Sequence, residues 1–194
     1  MKIFILRHED RTQDCSFFAP LTRIGLDNSV KLISYLKKNN INMIYSSPFI
    51  RTLQTIYPYI KETDIKINIE YGLSEIHHED IIPKKAVGIS LPEYIAESFN
   101  YNPEYKTIVK PTDINYQENE KQVSLRIKKI LREIISAYYK TDKNILLVTH
   151  QCPCNEMVKI TNKATKKVNT SNDYSKGRLC LIYNNNWTFE PINF

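Results

Sequence analysis

Apolar residues in this chain come in short continuous runs, separated by longer stretches with helical spacing. Residues 2–6 form one such run and end in Arg7-His8. Residues 41–45 form a second, ending in Ser46-Ser47, and residues 66–69 a third. The strongest is Asn144 to Thr149, which ends at His150. Runs of this length predict strands buried on both faces, as in a parallel sheet. Between them the spacing changes to that of helices. Leu21-Thr22 followed by Val30, Leu32, Ile33 and Leu36 predicts a helix with Thr22 at its N-cap, stopping near residues 37–40. Pro48 predicts the opening of a helix that runs to about Tyr59, because proline suits a first turn. Val123, Ile127, Ile130, Leu131, Ile134 and Tyr138 mark a long amphipathic helix, and residues 151–162 another. Residues 76–118 lack clear periodicity and hold Pro83, Pro92, Pro103 and Pro111. They read as an insertion with short helices, one near 90–98. Residues 178–183 and 187–191 predict a closing hairpin around residues 184–186. Alternating strands and helices give an α/β class with a mainly parallel sheet.

Composition narrows the picture. A length of 194 residues, 42% hydrophobic, suits one domain spanning residues 1–194 with an insertion at about 76–118. The 27 basic residues exceed the 21 acidic ones, for a net charge of +6, but they are scattered and follow no nucleic-acid-binding motif. A solvated basic surface that favours anionic ligands is expected, and no nucleic-acid partner. The four glycines stand at 25, 72, 88 and 177, which excludes GxGxxG, the GxxxxGK[ST] phosphate loop and the GxSxG elbow. Four cysteines at 15, 152, 154 and 180 make a poor disulfide framework, so a reducing compartment is expected. The apolar N-terminal run is too short for a signal peptide or a membrane span. A cytoplasmic protein with no membrane partner follows as the expectation.

In open α/β sheets, ligands bind beyond the carboxyl ends of the strands. Arg7-His8, Ser46-Ser47 and Thr149-His150 all lie at such ends. Two histidines and several arginines around one pocket suit a phosphoryl group. The guanidinium fork matches its oxygens, and a neutral imidazole is a competent nucleophile toward phosphorus. A helix starting at Gln151 would aim its N–H groups at the same place. A carboxylic acid would then protonate the leaving oxygen and later activate water.

These residues stand in blocks. They run Ile3-Phe4-Ile5-Leu6-Arg7-His8-Glu9; Pro20-Leu21-Thr22-Arg23-Ile24-Gly25; Tyr45-Ser46-Ser47-Pro48-Phe49-Ile50-Arg51-Thr52-Leu53-Gln54-Thr55; Leu73-Ser74-Glu75; and Leu147-Val148-Thr149-His150. In this order and spacing the chain resembles the histidine phosphatase superfamily, also called phosphoglycerate mutase-like, branch 1. The resemblance implies a three-layer α/β/α fold with a mainly parallel central sheet. It implies His8 as the nucleophile that becomes phosphohistidine, and Arg7, Arg51 and His150 as holders of the phosphoryl oxygens. Glu75 would be the general acid and then the base. It implies no metal and no other cofactor.

Several positions depart from that pattern or stay open. Glu9 stands where the family most often has glycine, and it is expected to turn away from the anion toward a basic neighbour. Gln151 replaces a common glycine or alanine and joins the candidate phosphate-binding residues. Arg11 reads either as an extra oxyanion contact or as a solvated loop residue. Glu79 and Asp80 follow Glu75 closely and compete with it for the role of acid. His77-His78 reads as a polar pocket rim rather than a metal site. A thiol of Cys152 or Cys154 near a helix N-terminus would have a lowered pKa and sensitivity to oxidation. Tyr94, Phe99, Tyr101 and Tyr105 form either an aromatic wall for a phosphoaryl group or the packing of the insertion. The substrate is expected to be a phosphorylated small molecule or phosphoprotein, hydrolysed as a phosphomonoester. The mutases' Glu-x-x-x-Asn stretch has no match in residues 9–20, which favours hydrolysis. Mutase-type phosphoryl transfer and a non-catalytic phosphate-binding protein with a degenerate site remain the alternatives.

Overall fold

The computed structural model describes residues 1–84, 90–165, 179–183 and 190–191. Its strands are β1 (Lys2–Arg7), β2 (Met43–Ser46), β3 (Ile67–Ile69), β4 (Asn144–Thr149), β5 (Leu179–Tyr183) and β6 (Glu190–Pro191), in the sheet order β3-β2-β4-β1-β5-β6. The first four are mutually parallel, and β5 and β6 are antiparallel additions. The predicted closing hairpin is this β5–β6 pair, and its expected turn at residues 184–186 lies outside the described residues.

The continuous apolar runs are explained by two buried faces. Along β1 and β4, Ile3, Ile5, Ile145 and Leu147 point to one side, and Phe4, Leu6, Leu146 and Val148 to the other. The first set packs under α4 (Glu120–Tyr138) and α5 (Gln151–Thr165), chiefly through Ile127, Ile130 and Met157. The second packs under α1 (Arg23–Lys38) and α2 (Ile50–Thr63), through Leu32, Leu36, Leu53 and Ile56. Helices on both faces of a parallel sheet make the three-layer α/β/α architecture. Among the described residues, no helix is long and apolar enough to cross a membrane.

Local chemistry sets the boundaries. Thr22 caps α1, its hydroxyl accepting from the Gly25 N–H at 3.1 Å. Gly25 is needed for a close approach, because a Cβ there would lie 2.1 Å from the Asp10 carbonyl oxygen. This contact lets α1 pack against the loop that follows His8. Val30, expected on the buried face of α1, is 56% exposed; Gly25 and Ser29 take up that face instead. Small residues are needed where the helix meets the loop. The second helix starts two residues later than expected, at Ile50, with Phe49 as the N-cap. It continues past Tyr59 and stops at Asp64, which is left-handed at φ 54°. The insertion contains α3 (Glu93–Glu97) and the 3₁₀ segment Pro111–Asp113, and another 3₁₀ segment, Tyr71–Leu73, precedes it.

Candidate functional site

The strand register brings the polar tips to one level. Arg7 pairs with Thr149, and Ser46 pairs with both Val148 and Ile69. Just beyond, the His8 N–H donates to the Thr149 carbonyl at 3.0 Å, and the Ser47 N–H to that of Val148 at 3.0 Å. His8 and His150 therefore emerge side by side, edge to face, with ring centroids 5.2 Å apart.

His8 is buried, and its Nδ1 lies 2.7 Å from the Glu9 carbonyl oxygen. A carbonyl only accepts, so Nδ1 carries the proton and Nε2 keeps its lone pair. Burial first, and then the charges of Arg51, Arg7 and Arg11, hold the His8 pKa well below the usual imidazole value. His150 is fully buried and lowered in the same way, by burial, Arg51 and His8. Both rings are thus neutral at physiological pH.

Arg51 stands in the first turn of α2 and is 2% exposed. Its Nη1 donates to the Ser16 carbonyl at 3.0 Å, and its guanidinium lies 4.5 Å from the Phe49 ring centroid. Burial and Arg11 bring its pKa down to about 10, so it stays cationic. It is the common electrostatic neighbour of His8, His150 and Glu75. Arg7, half-buried at the tip of β1, acts on both histidines. Arg11 reaches the site electrostatically through His8 and Arg51, while its guanidinium donates to the carbonyls of Thr12 and Asp14 at 2.7 and 3.1 Å. Its loop is seated by Phe17, which clusters with Phe49 and with Ile82 of the insertion.

Glu75 is buried, whereas Glu79 and Asp80 are exposed. Its Oε1 accepts from the N–H groups of Ile76 and Cys152 at 3.0 and 3.3 Å. Burial raises its pKa above the ordinary carboxylate value, opposed by the Ile76 hydrogen bond and Arg51. Gln151 is exposed at the start of α5 and lines a groove with Glu75.

Glu9 is turned as the pattern requires, though toward an amide rather than a cation. Its carboxylate accepts from Asn28 of α1 at 3.4 Å, with the charge of Lys31 beyond. Its backbone serves the site: the N–H donates to Thr55 Oγ1 at 3.0 Å, and that hydroxyl donates to the Arg51 carbonyl at 2.7 Å.

Some expectations are corrected. His77 is buried rather than on a rim, and burial beside Arg126 lowers its pKa to about 4. His78 is the more exposed of the two and pairs with Asp80 at 3.2 Å. The Cys152 thiol is pushed up to about 12 rather than down, because burial and Glu75 outweigh any help from the helix end. The four aromatics build no wall here. Tyr94 is 72% exposed and Phe99 packs on Tyr57, while Tyr101 and Tyr105 line a separate cavity of about 390 Å³ beside β3.

The sequence reasoning missed the support behind Glu75. Arg126 on α4 donates to the carbonyls of Gly72 and Glu75 at 2.5 and 3.3 Å, and pairs with buried Glu118 at 2.8 and 3.0 Å. Thr149 Oγ1 donates to the Leu73 carbonyl at 2.6 Å. The available signal was a charged residue inside the apolar stripe Val123-Ile127-Ile130.

The family described as "Histidine phosphatase superfamily (branch 1)" matches residues 9–172. A curated relative, the transcription factor tau 55 kDa subunit of Saccharomyces cerevisiae, is 28% identical over 139 residues. That is 68% of this chain but 31% of the relative, so the chain spans about a third of its length. Solved structures with the same fold include the ecdysone phosphate phosphatase from Bombix mori in complex with tungstate (TM-score 0.76, 17% identity, 97% of this chain and 91% of that one). The alpha-ribazole phosphatase from Shigella flexneri aligns over 100% of this chain and 96% of its own (TM-score 0.67, 18% identity). Phosphoglycerate mutase from Bacillus anthracis aligns over 99% and 92% (TM-score 0.64, 18% identity).

Proposed function

The chain belongs to the histidine phosphatase superfamily, branch 1, and from that premise we propose that it is a metal-free phosphatase that hydrolyses phosphomonoesters through a phosphohistidine on His8. The observation that carries this reading is the pairing of a neutral His8, its Nδ1 proton held by the Glu9 carbonyl, with the buried cation of Arg51. His8 Nε2 attacks phosphorus and the ester P–O bond breaks, with Glu75 giving its proton to the leaving oxygen. Glu75, now a carboxylate, takes a proton from water. The resulting hydroxide displaces His8 from phosphorus and releases inorganic phosphate. Arg7, Arg51 and His150 bind the phosphoryl oxygens through both steps, with Arg11 contributing from its loop and Gln151 at the rim. No step calls on a metal or an organic cofactor. Residues 1–194 form one domain whose 9–20 loop and 76–118 insertion shape the substrate side. The protein works in the cytoplasm on a phosphorylated small molecule or a phosphoprotein.

The test is phosphate release from p-nitrophenyl phosphate and a panel of phosphomonoesters, with rapid acid-free trapping of phosphoenzyme. Wild type should turn over and His8→Ala should not, and the trapped label should map to His8. An alanine variant with full activity rejects the site. The relative named as a transcription factor subunit keeps a non-catalytic role as the alternative, and a wild type inert on every ester would favour it. Conversion of 3-phosphoglycerate to its 2-isomer with a bisphosphate primer, in preference to phosphate release, would instead identify a mutase.

A further inference from the structure

Ser47 lies one residue beyond β2, where its Oγ is 2.8 Å from His150 Nε2, and both side chains are buried. A hydroxyl has one proton to give and can accept others. Here the Phe49 N–H donates to Ser47 Oγ at 3.4 Å, so an acceptor for the Ser47 proton is what the geometry requires. His150 Nε2 is that acceptor. If Nε2 held the ring proton instead, the buried hydroxyl would face a donor with its own proton unplaced. The other ring nitrogen, Nδ1, is buried and has no hydrogen-bond partner among the described residues, and the ring packs against His8. An unprotonated Nδ1 would present a lone pair where phosphoryl oxygens bring negative charge. A protonated Nδ1 presents a donor.

We infer that Ser47 is a positioning residue: by donating to His150 Nε2 it holds that ring as the Nδ1–H tautomer, and so makes Nδ1 a hydrogen-bond donor to the phosphoryl group bound at His8. This rests on the phosphatase reading above for its consequence, though not for its geometry. The same tautomer then does opposite work in the two rings. In His8 the Glu9 carbonyl takes the Nδ1 proton and frees Nε2 to attack. In His150 the Ser47 hydroxyl occupies Nε2 and leaves Nδ1–H for the oxyanion. Burial and Arg51 keep the ring neutral, so its tautomer decides whether it donates.

Long-range proton–nitrogen correlation spectra of histidine-labelled protein report the tautomer directly. Wild-type His150 should be a single Nδ1–H species, and inorganic phosphate should move that proton downfield. Ser47→Ala should give an Nε2–H or mixed ring and lower kcat on p-nitrophenyl phosphate by about tenfold to a hundredfold, less than losing a whole oxyanion donor. KM should change far less, and Ser47→Thr should restore both the tautomer and most of kcat. A wild-type Nε2–H ring overturns the assignment, as does a folded Ser47→Ala protein with unchanged tautomer and kcat. The wild-type spectrum decides even where the variants fail to fold. An inactive protein with the Nδ1–H ring would sink the phosphatase reading and leave the Ser47 assignment standing; an active one with the Nε2–H ring would do the reverse.

Discussion

Replacing Arg126 by methionine should be among the most damaging single changes in the described structure. The guanidinium is 6% exposed and makes four hydrogen bonds: two to Glu118, one to the Gly72 carbonyl and one to the Glu75 carbonyl. Methionine keeps much of the length and the apolar contact with α4 but none of the donors. Glu118, 2% exposed, would keep only the His77 N–H at 3.2 Å. Breaking a buried ion pair from one side costs about 3–5 kcal/mol, most of it the cost of an uncompensated buried charge. The two carbonyl bonds fall within that figure rather than adding to it, since the groups share one network. With an m-value of about 2 kcal/mol/M, the urea midpoint should drop by about 1.5–2.5 M with little change in slope. Equilibrium unfolding followed by far-ultraviolet circular dichroism measures it. Arg126→Met with Glu118→Met should recover most of the stability, because no stranded charge remains. It should not recover kcat, since the Glu75 carbonyl is still unanchored. A single-variant loss under about 1 kcal/mol, or a double variant with wild-type kcat, would refute this account.

Glu75→Gln should lower kcat/KM for phenyl phosphate by about 10²- to 10⁴-fold and for p-nitrophenyl phosphate much less, since the better leaving group needs no proton; kcat should fall for both, because Glu75 also activates the water that attacks their common phosphohistidine. In wild type the raised Glu75 pKa moves the alkaline limb of the phenyl phosphate profile above the usual carboxylate range. The lowered His8 pKa moves the acid limb below the usual imidazole value. A profile in the Gln variant that keeps the same alkaline limb assigns the acid to another group. His77 has a folded pKa of about 4 against 6.5 unfolded, so the unfolded chain binds the extra proton between those values. Its contribution is complete above pH 6.5 and is lost as pH falls toward 4, about 3 kcal/mol in all; His77→Gln should flatten that part of the stability curve, measured as urea midpoint against pH. Gly25→Ala should drive the loop off α1, because its Cβ meets the Asp10 carbonyl at 2.1 Å; a variant with wild-type melting temperature and KM would show that the loop yields freely.

The architecture was legible because strands buried on both faces leave continuous apolar runs, and the long helix leaves a 3.6 period. Both features survive in β1, β4 and α4 with boundaries close to those expected. The tips Arg7-His8 and Thr149-His150 were legible because register follows from parallel pairing once the strands are known. What stayed hidden depends on long-range partners. Val30 satisfies the helical spacing, yet α1 needs small residues where it meets the loop, and no local pattern records that. Cys152 sits at a helix N-terminus, which alone would lower its pKa; its burial reverses the sign, helped by the Glu75 carboxylate 77 residues earlier. The aromatic residues of the insertion were visible as a group, but which cavity they line is set by how the insertion folds back on β3.

Glu9 departs from the family pattern in a way that the proposed chemistry can accommodate. Attack by an imidazole needs a neutral ring, and binding a phosphoryl group needs fixed positive charge. Arg51 meets both demands at once. Burial does most to lower the pKa values of the two histidines, and Arg51 beside them lowers them further while staying charged itself, since about 10 is far above neutral pH. A carboxylate facing His8 would undo this by favouring the protonated, unreactive ring. Glu75 and Glu9 are each engaged by other groups. Glu75 sits against Arg51 and two N–H groups, and Glu9 against Asn28. What position 9 gives the site is its backbone, with the carbonyl on His8 Nδ1 and the N–H on Thr55. Any residue but proline provides those groups. On the proposed chemistry glycine is therefore dispensable here so long as the side chain that replaces it has a partner on α1, and Asn28 is that partner.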